Sequence, residues 1–402
     1  MAGRPRHIDR AGDLRDLCAE IAERGSFAVD MEFESERTYF PKLQLIQVAA
    51  GDDVALIDPL ELDDLAPFWS LITDPGVTKI THAGRQDADI MYNECGEAPA
   101  ALVDTQIAAA LLGMGEQIGY ASLVSRLLGI RLRKTERVTD WSIRPLSPQQ
   151  IEYAVDDVIH LRCVHDKLMK KLGAMGRLSW FEEEVGFYAD PDFYGRDPET
   201  AYLRVGGKKG LNRRGMGILR ELARWREEEA ARRNEPRGRV VSDDVLVEIA
   251  ARKPKTVDDL RPLRRLHRRE LERSGNALVK AVAAGEALPE DRLPSPSRGL
   301  PEDPSLTLVA HLLDVMVRMR ACQHQIAPSY LSNQKGIRNL VDYLAGRING
   351  DATPRILEGW RRELVGDDLV ELFEGKLALA VNPKRKQPVC FATNGRADGD
   401  GS

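Results

Sequence analysis

The chain has 402 residues, of which 43% are hydrophobic and 30% are charged, and its formal net charge at pH 7 is −5. This composition excludes wholesale disorder, and the length predicts roughly two to four domains. No apolar run reaches the roughly 20 residues of a membrane-spanning helix, and the first residues lack the apolar segment of a secretory signal. The 5 cysteines are scattered and form no CxxC pair, which argues against a zinc knuckle or a disulfide framework. We therefore expect a soluble, cytoplasmic protein that does not bind membranes.

The charge is distributed unevenly along the chain. Residues 204–286 hold 22 Lys and Arg against 13 Asp and Glu, a net charge of +9, and the remainder holds 36 against 50, a net charge of −14. A basic segment beside an acidic remainder is typical of a polyanion partner. A solvated, Arg-rich helical surface gives the same count, so charge alone leaves both interpretations open.

The first part of the chain alternates strands and helices. The apolar segments SFAVDMEF, KLQLIQVAA and DVALIDPL over 26–60, with short polar breaks, predict an antiparallel meander. A fourth strand is predicted over 77–81, and helices are predicted over 65–73, 86–93, 102–112, 121–128 and 148–172. Together these elements predict an α/β domain with a mixed sheet over 8–190.

The rest of the chain is predicted to be helical. Helices over 214–233 and 243–251, and a third that begins near Val257 after the cap residue Thr256, predict a helical domain over 204–288. A Pro-rich linker over 289–304, a second helical block over 305–385 and a disordered tail over 386–402 follow.

Three acidic residues lie on or beside predicted strands. Asp30 and Glu32 are two residues apart on the first strand, so both carboxylates leave the same face. Asp87 falls in the first turn of the helix after the fourth strand. Taken singly, the pair could be solvated strand residues, and Asp87 could simply compensate a helix dipole.

Two more polar residues share a face of the predicted helix over 148–172. Tyr153 and Asp157 are four residues apart, which puts the phenol and the carboxylate on one side. The neighbouring Asp156 points about 100° away on ideal helix geometry and is the weaker candidate.

Carboxylates that converge repel one another and raise each other's pKa, and divalent cations relieve the conflict. Two hard cations roughly 3.5–4 Å apart can clamp the attacking and the leaving oxygen of a phosphodiester, and a tyrosine could orient the attacking water. The sequence contains no GxSxG, Walker or HExxH motif that would compete. The acids therefore favour phosphodiester hydrolysis without a covalent intermediate.

The stretches VDMEF, HAGRQDADI and EYAVDDV resemble the three exonuclease motifs of the DEDD superfamily, in its Tyr-containing branch. Flanking segments such as KLQLIQVA, VDTQIAAALLG and TDWSIRPLSPQQIEYA are similar to the ribonuclease D family of that branch. The resemblance covers residues 8–172. It implies an RNase H-like fold and 3′–5′ hydrolysis of RNA 3′ ends, such as those of tRNA precursors, to nucleoside monophosphates.

Matched position by position, the resemblance implies a set of site residues. Two divalent ions, Mg²⁺ or Mn²⁺, are expected on Asp30, Glu32, Asp87 and Asp157, and Tyr153 is expected to position the water. By the same analogy Asp30 bridges both ions, and Asp87 supports the second ion.

Phe33 and His82 are weaker candidates, for contact with the substrate. A core position for Phe33 and a structural role for His82 explain these residues as well. The stretch LNRRGMGILRELARWREEEAARRNEP resembles an HRDC domain, and residues 305–385 are a candidate second copy.

Two alternatives stay open. The same acids occur in DNA exonucleases, and nothing in the sequence reads the 2′-hydroxyl, so the partner is RNA or DNA. A non-enzymatic nucleic-acid or helicase-partner module is the other alternative, and the intact set of five residues speaks against it. The predicted exonuclease unit is expected to degrade short oligonucleotides when the chain is cut near Asp190.

Overall fold

The structure is a computed structural model that describes residues 4–132, 140–194, 197–294, 303–348, 353–381 and 389–392. Its first unit is built on a mixed six-stranded sheet with the order β1-β4-β3-β2-β5-β6. The strands are β1 (Arg6–Ile8), β2 (Ser26–Glu34), β3 (Lys42–Ala50), β4 (Asp53–Ile57), β5 (Thr78–Thr81) and β6 (Leu102–Asp104). As predicted, β2, β3 and β4 form an antiparallel meander, and β5 joins β2 in parallel.

Helices cover both faces of this sheet. They are α1 (Ala11–Arg24), α2 (Ala66–Thr73), α3 (Arg85–Cys95), α4 (Thr105–Leu111), α5 (Tyr120–Leu128), α6 (Pro148–Ile159), α7 (Leu161–Ala174) and α8 (Leu178–Val185). Two predictions were wrong in detail. The helix predicted over 148–172 breaks at His160, and the one predicted over 102–112 begins with the strand β6.

Side chains of β2 alternate between two apolar clusters. Phe27, Val29 and Met31 belong to the main core of the unit, whereas Ala28 packs with Val158 and others under α6 and α7. Because the period of a strand is two residues, the even-numbered acids of β2 face α6.

The basic segment forms a helical domain with its own core. Its helices are α9 (Arg213–Arg233), α10 (Arg237–Val240), α11 (Asp243–Arg252) and α12 (Arg268–Ala287). The helix predicted to begin near Val257 is only the single 3₁₀ turn Asp258–Leu260, and the next helix begins at Arg268. Pro262 accounts for the difference, since proline in a helix interior removes a hydrogen bond and clashes with the preceding turn.

The last part of the chain contains α13 (Pro304–Gln323), α14 (Pro328–Leu331), α15 (Gln334–Leu344), α16 (Gly359–Arg361), a π-helical turn (Arg362–Gly366), α17 (Asp367–Phe373), and the antiparallel strands β7 (Ala378–Val381) and β8 (Val389–Ala392). The tail predicted to be disordered from residue 386 therefore includes a strand. Residues 295–302 of the predicted linker, and 382–388 and 393–402, lie outside the described residues.

The C-terminal block (304–373) packs onto the first unit. Buried residues of α13, such as Leu313 and Val317, belong to the same apolar cluster as β2. A Cβ atom at Gly113 would lie 2.4 Å from the carbonyl oxygen of Gln325, and Gly113 also has a φ of +66°, so glycine is required there. A chain cut near Asp190 would thus lose part of its core packing, and the activity of that fragment on short oligonucleotides stays a prediction.

An aromatic stack and an ion pair also join the C-terminal block to α8. The indole rings of Trp180 and Trp360 stack with their centroids 4.7 Å apart. Beside them, the buried carboxylate of Glu184 lies 2.6 Å from the buried guanidinium of Arg361.

Among the described residues, none of the helices combines the length and the apolar character that a membrane span requires.

Candidate active site

Three of the predicted acids meet between the sheet and α6. One carboxylate oxygen each from Asp30, Glu32 and Asp157 can be chosen so that all three lie within 4.8 Å of one another. The first two leave β2 on the face that α6 covers, and the third comes from α6 itself. The structure thus brings together residues that are separated by more than a hundred positions in the sequence.

Burial and mutual repulsion raise the pKa values of the acids in and beside this cluster. Burial raises the pKa of Asp30 well above its usual range, and the charges of Asp87 and Asp157 raise it further. Burial, followed by the same two neighbours, raises the pKa of Glu32 from its usual 4.5 to about 8. Burial and the nearby Asp104 raise the pKa of Asp87 from 3.8 to about 7. The folded chain alone therefore disfavours full ionisation of these acids.

The turn between β5 and α3 places Asp87 beside the three acids. The buried carboxylate of Asp104 accepts backbone hydrogen bonds from Ala83, at 3.0 Å, and from Gly84, at 3.1 Å. A Cβ atom at Gly84 would lie 2.3 Å from the side chain of Thr81, so only glycine fits this close approach. Asp87 follows in the first turn of α3.

Asp104 was not predicted from the sequence, although a signal for it was present. It caps the N-terminus of α4 by accepting the backbone N–H of Gln106 at 2.8 Å, and an Asp-Thr pair before an apolar run is a typical helix start. The hydroxyl of Tyr188, from the segment after α8, also donates to Asp104 at 2.9 Å. Nothing in the sequence indicated that Tyr188 reaches this turn.

Tyr153 lies on α6 beside the acids. The helix begins with a capping box, in which the side chain of Ser147 accepts from the N–H of Gln150 and the Gln150 side chain accepts from the N–H of Ser147. The hydroxyl of Tyr153 is hydrogen-bonded to Asp157, and burial together with the charge of Asp157 raises the pKa of this phenol. Asp156 is not part of the three-acid cluster.

A partly buried ion pair holds the segment that packs on Tyr153. The rings of Trp141 and Tyr153 are 5.9 Å apart. The guanidinium of Arg144 donates to the carbonyl oxygen of Trp141 at 2.6 Å and to the carboxylate of Asp58 at 2.8 Å. These contacts limit the positions that the Tyr153 ring can adopt.

The weaker candidates lie near the acids but have neighbours in the fold. The half-buried Phe33 packs against the main core. Both ring nitrogens of His82 are 2.9 Å from protein oxygens, namely Oγ1 of Thr105 and the carbonyl of Ile118. The phenol of Tyr120, a residue not predicted from the sequence, lies against His82 and within electrostatic reach of Asp157. A contact between Phe33 or His82 and substrate stays a prediction.

The chemistry of the donor set fits a divalent cation. Every group in the cluster offers a carboxylate oxygen, the ligand type that Mg²⁺ and Mn²⁺ prefer. Burial, and after it the charges of neighbouring carboxylates, raises the pKa values of Asp30 and Glu32, and a bound cation would favour their ionised forms.

Known proteins resemble this chain in both sequence and structure. The 3′–5′ exonuclease family matches residues 5–173, and the HRDC domain family matches residues 216–282. The chain is 39% identical to ribonuclease D of Gluconacetobacter diazotrophicus, over 94% of this chain and 95% of that protein. It is 40% identical to ribonuclease D of Granulibacter bethesdensis, over 95% of each. The crystal structure of Escherichia coli RNase D, described as an exoribonuclease involved in structured RNA processing, superposes with a TM-score of 0.83 at 32% identity, covering 93% of this chain and 99% of that one.

The mixed sheet, the helices on its faces and the family matches define an RNase H-like 3′–5′ exonuclease that carries an HRDC domain. Because the relatives align over nearly their whole length, the chain belongs to the ribonuclease D family, and it is a 3′–5′ exoribonuclease. The fold class and the enzyme class predicted from the sequence are confirmed.

Proposed function

We propose that the chain removes nucleotides from RNA 3′ ends by a two-metal hydrolysis. The observation that carries the proposal is the partly buried cluster of Asp30, Glu32 and Asp157, with Asp87 close enough to raise the pKa values of the first two. So concentrated a negative charge is costly for a fold to maintain unless cations bind it.

The side chains divide the work by their position. Asp30, Glu32 and Asp157 hold one cation, and Asp87 supports a second from the first turn of α3. Bound divalent cations lower the pKa of the attacking water and neutralise charge on the phosphodiester. Tyr153 orients that water through its hydroxyl, which is hydrogen-bonded to Asp157 and held by the packing of Trp141.

We also propose that the HRDC domain holds the RNA by its phosphates. Ion pairs inside the domain neutralise part of its charge, for example Arg226 with Asp243 and Arg233 with Glu270. Free positive charge is therefore smaller than the count over 204–286 indicated.

The basic side chains that remain unpaired include two at one cleft, which we call the basic cleft. It has a volume of about 330 Å³ and is lined by Arg239, Val240, Ser242, Arg264, Arg265, His267 and Glu270, among others. Arg239 and Arg264 are exposed, and neither forms an ion pair with any described residue. Arginine in such a position suits a phosphate oxygen.

The proposed substrate class is a structured RNA with an accessible 3′ end, such as a tRNA precursor. The description of the E. coli relative supports this proposal. We further propose the division of the chain that the sequence suggests, with an exonuclease unit over 8–190, an HRDC domain over 204–288 and a third helical unit over 305–385. The third unit as a second HRDC copy stays a hypothesis.

The decisive experiment compares RNA and DNA strands of one sequence, each labelled at the 5′ end. The proposal expects a ladder of RNA products shortened one nucleotide at a time, with monophosphates released, only when Mg²⁺ or Mn²⁺ is present. Preferential digestion of DNA would favour the DNA exonuclease alternative. Full activity in excess EDTA would exclude the two-metal mechanism.

A further inference from the structure

A glutamine next to the acid cluster has no hydrogen-bond partner. The side chain of Gln47, on β3, is 0% exposed, and neither its Nε2 nor its Oε1 forms a hydrogen bond with a described residue. Buried amide groups are nearly always paired, because water is no longer there to satisfy them. An orphaned amide in a native fold therefore indicates a partner that the folded chain alone does not supply.

The register of the sheet places Gln47 directly opposite Asp30. In the antiparallel pair of β2 and β3, Asp30 is aligned with Gln47, so the two side chains leave the same face with Cβ atoms about 4.5–5.5 Å apart. The same-face neighbours of Gln47 along β3 and across on β4 are apolar, namely Leu45, Ala49 and Leu56, and its diagonal neighbours on β2 are Ala28 and Glu32. Asp30 is thus the polar group that the sheet puts directly opposite this amide.

The helix above the sheet closes the remaining side. Ala154 of α6 packs with Leu45 and Leu56, and Val158 of α6 packs with Ala49. Gln47 lies between these two apolar clusters, under the same helix that carries Asp157. Its amide is therefore sealed from solvent and adjoins the acid site.

We infer that Gln47 is a positioning residue of the metal site, whose Nε2–H donates to the carboxylate of Asp30 when cations are bound. The hydrogen bond fixes the carboxylate and directs its other lone pairs toward the cation. Carboxylates that bind metals are regularly held by such partners, and the loss of a partner costs about 10–100-fold in metal affinity. This inference rests on the proposed function, because it assigns Asp30 to a cation.

The test uses Gln47→Met in the full-length protein, since methionine keeps the length and removes the amide. After EDTA treatment and its removal, calorimetric titration with Mn²⁺ gives the Kd, and thermal unfolding without metal gives the Tm. We expect the Kd to rise by about 10–100-fold. The metal-free Tm should stay equal or rise, because no buried amide is left unpaired.

A matched control lies on the same strand. Gln44 is also buried, at 5% exposure, and the β-bulge leaves it without an aligned partner on β2. Gln44→Met should leave the Mn²⁺ Kd unchanged. Gln47→Leu repeats the test with a different apolar shape, so that a packing defect of one variant does not decide the result.

The outcomes separate two claims. A Kd within twofold of the wild-type value in both Gln47 variants would overturn the inference, and so would a fall in the metal-free Tm of both, which assigns Gln47 a packing role. Absence of saturable Mn²⁺ binding in the wild-type protein would instead contradict the proposed metal site itself, and the inference with it.

Discussion

The hydroxyl of Tyr39 donates a 2.5 Å hydrogen bond to the buried carboxylate of Glu227. Tyr39 belongs to the loop that joins β2 to β3, and Glu227 belongs to α9 of the HRDC domain. Arg237 donates to the same carboxylate through Nε at 2.5 Å and lies over the Tyr39 ring. A second bond runs from the N–H of Phe40 to the side chain of Asn234 at 2.9 Å. The HRDC domain is thus docked on the loop that follows the acids of β2.

Removal of the Tyr39 hydroxyl should loosen this docking. Hydrogen bonds to charged groups contribute about 1.5–3 kcal/mol, so Tyr39→Phe should destabilise the contact by about that amount. We expect faster amide hydrogen exchange in the loop 35–41 and at the end of α9, with digestion of short oligonucleotides preserved. The control is Tyr202→Phe, because the hydroxyl of Tyr202 forms no hydrogen bond with a described residue. Equal exchange in wild type and Tyr39→Phe would show that the contact does not hold the domains together.

Loss of a single acid should abolish most activity. Asp30→Asn keeps the side-chain shape but removes a charge expected to bind metal, so the barrier should rise by several kcal/mol. At about 1.36 kcal/mol per decade, that lowers the rate by on the order of a thousandfold. Asp156→Asn, one residue before Asp157 and outside the cluster, should lose far less. Equal losses at Asp156 and Asp157 would mean that the wrong carboxylate has been assigned.

Tyr153→Phe isolates the role of one hydroxyl. The ring and its contact with Trp141 remain, whereas the group hydrogen-bonded to Asp157 is lost. Steady-state kinetics should show a fall in kcat of about 10²-fold, the low end for a positioned proton-handling group, with KM nearly unchanged. An unchanged kcat with a steep rise in KM would make Tyr153 a substrate-binding residue.

The raised pKa values predict how stability depends on pH. In the metal-free fold, burial and then neighbouring carboxylates raise the pKa of Glu32 from 4.5 to about 8 and that of Asp87 from 3.8 to about 7. The folded chain therefore binds more protons than the unfolded chain between these values, so the free energy of unfolding falls as pH rises from about 4 to 8. Thermal unfolding in EDTA should show this fall, and Glu32→Gln should reduce it. If Tm depended on pH in the same way in wild type and Glu32→Gln, the raised pKa of Glu32 would be contradicted.

Bound cations should counteract this loss of stability with rising pH. Binding requires the ionised acids, so the increase in Tm that Mg²⁺ produces should grow as pH rises over this window. Glu32→Gln should weaken the increase, since it removes one of the clustered oxygens.

The basic cleft can be tested through the salt dependence of RNA binding. Each neutralised phosphate of a single strand contributes about −0.7 to the slope of log K against log salt. Replacement of both Arg239 and Arg264 by Ala should make the slope shallower by about 1.4 and weaken binding of long RNA. Arg252→Ala removes an arginine that is paired with Glu248 and serves as the control. Identical slopes for the double variant and wild type would exclude the cleft as an RNA contact.

Local patterns in the sequence were enough to predict which residues share a face of a strand or a helix. Alternation in SFAVDMEF placed Asp30 and Glu32 on one face of a strand, and the four-residue spacing placed Tyr153 and Asp157 on one face of a helix. The structure brings these four residues together, because strand and helix periods are set by backbone geometry and hold wherever the element packs.

Contacts between distant segments follow from the tertiary structure and could not be predicted from local pattern. Asp104 reaches the turn before Asp87 because β5 and β6 are parallel neighbours, so their carboxyl ends meet at one edge of the sheet. Gln47 adjoins Asp30 because of the register between β2 and β3, and this register depends on the pairing of both strands rather than on either strand alone. The C-terminal block has the amphipathic pattern of an independent helical domain, yet it packs on the exonuclease core. A hydrophobic face in the sequence predicts that the face is buried. It does not predict which surface covers it, because the hydrophobic effect is proportional to apolar area and has no direction.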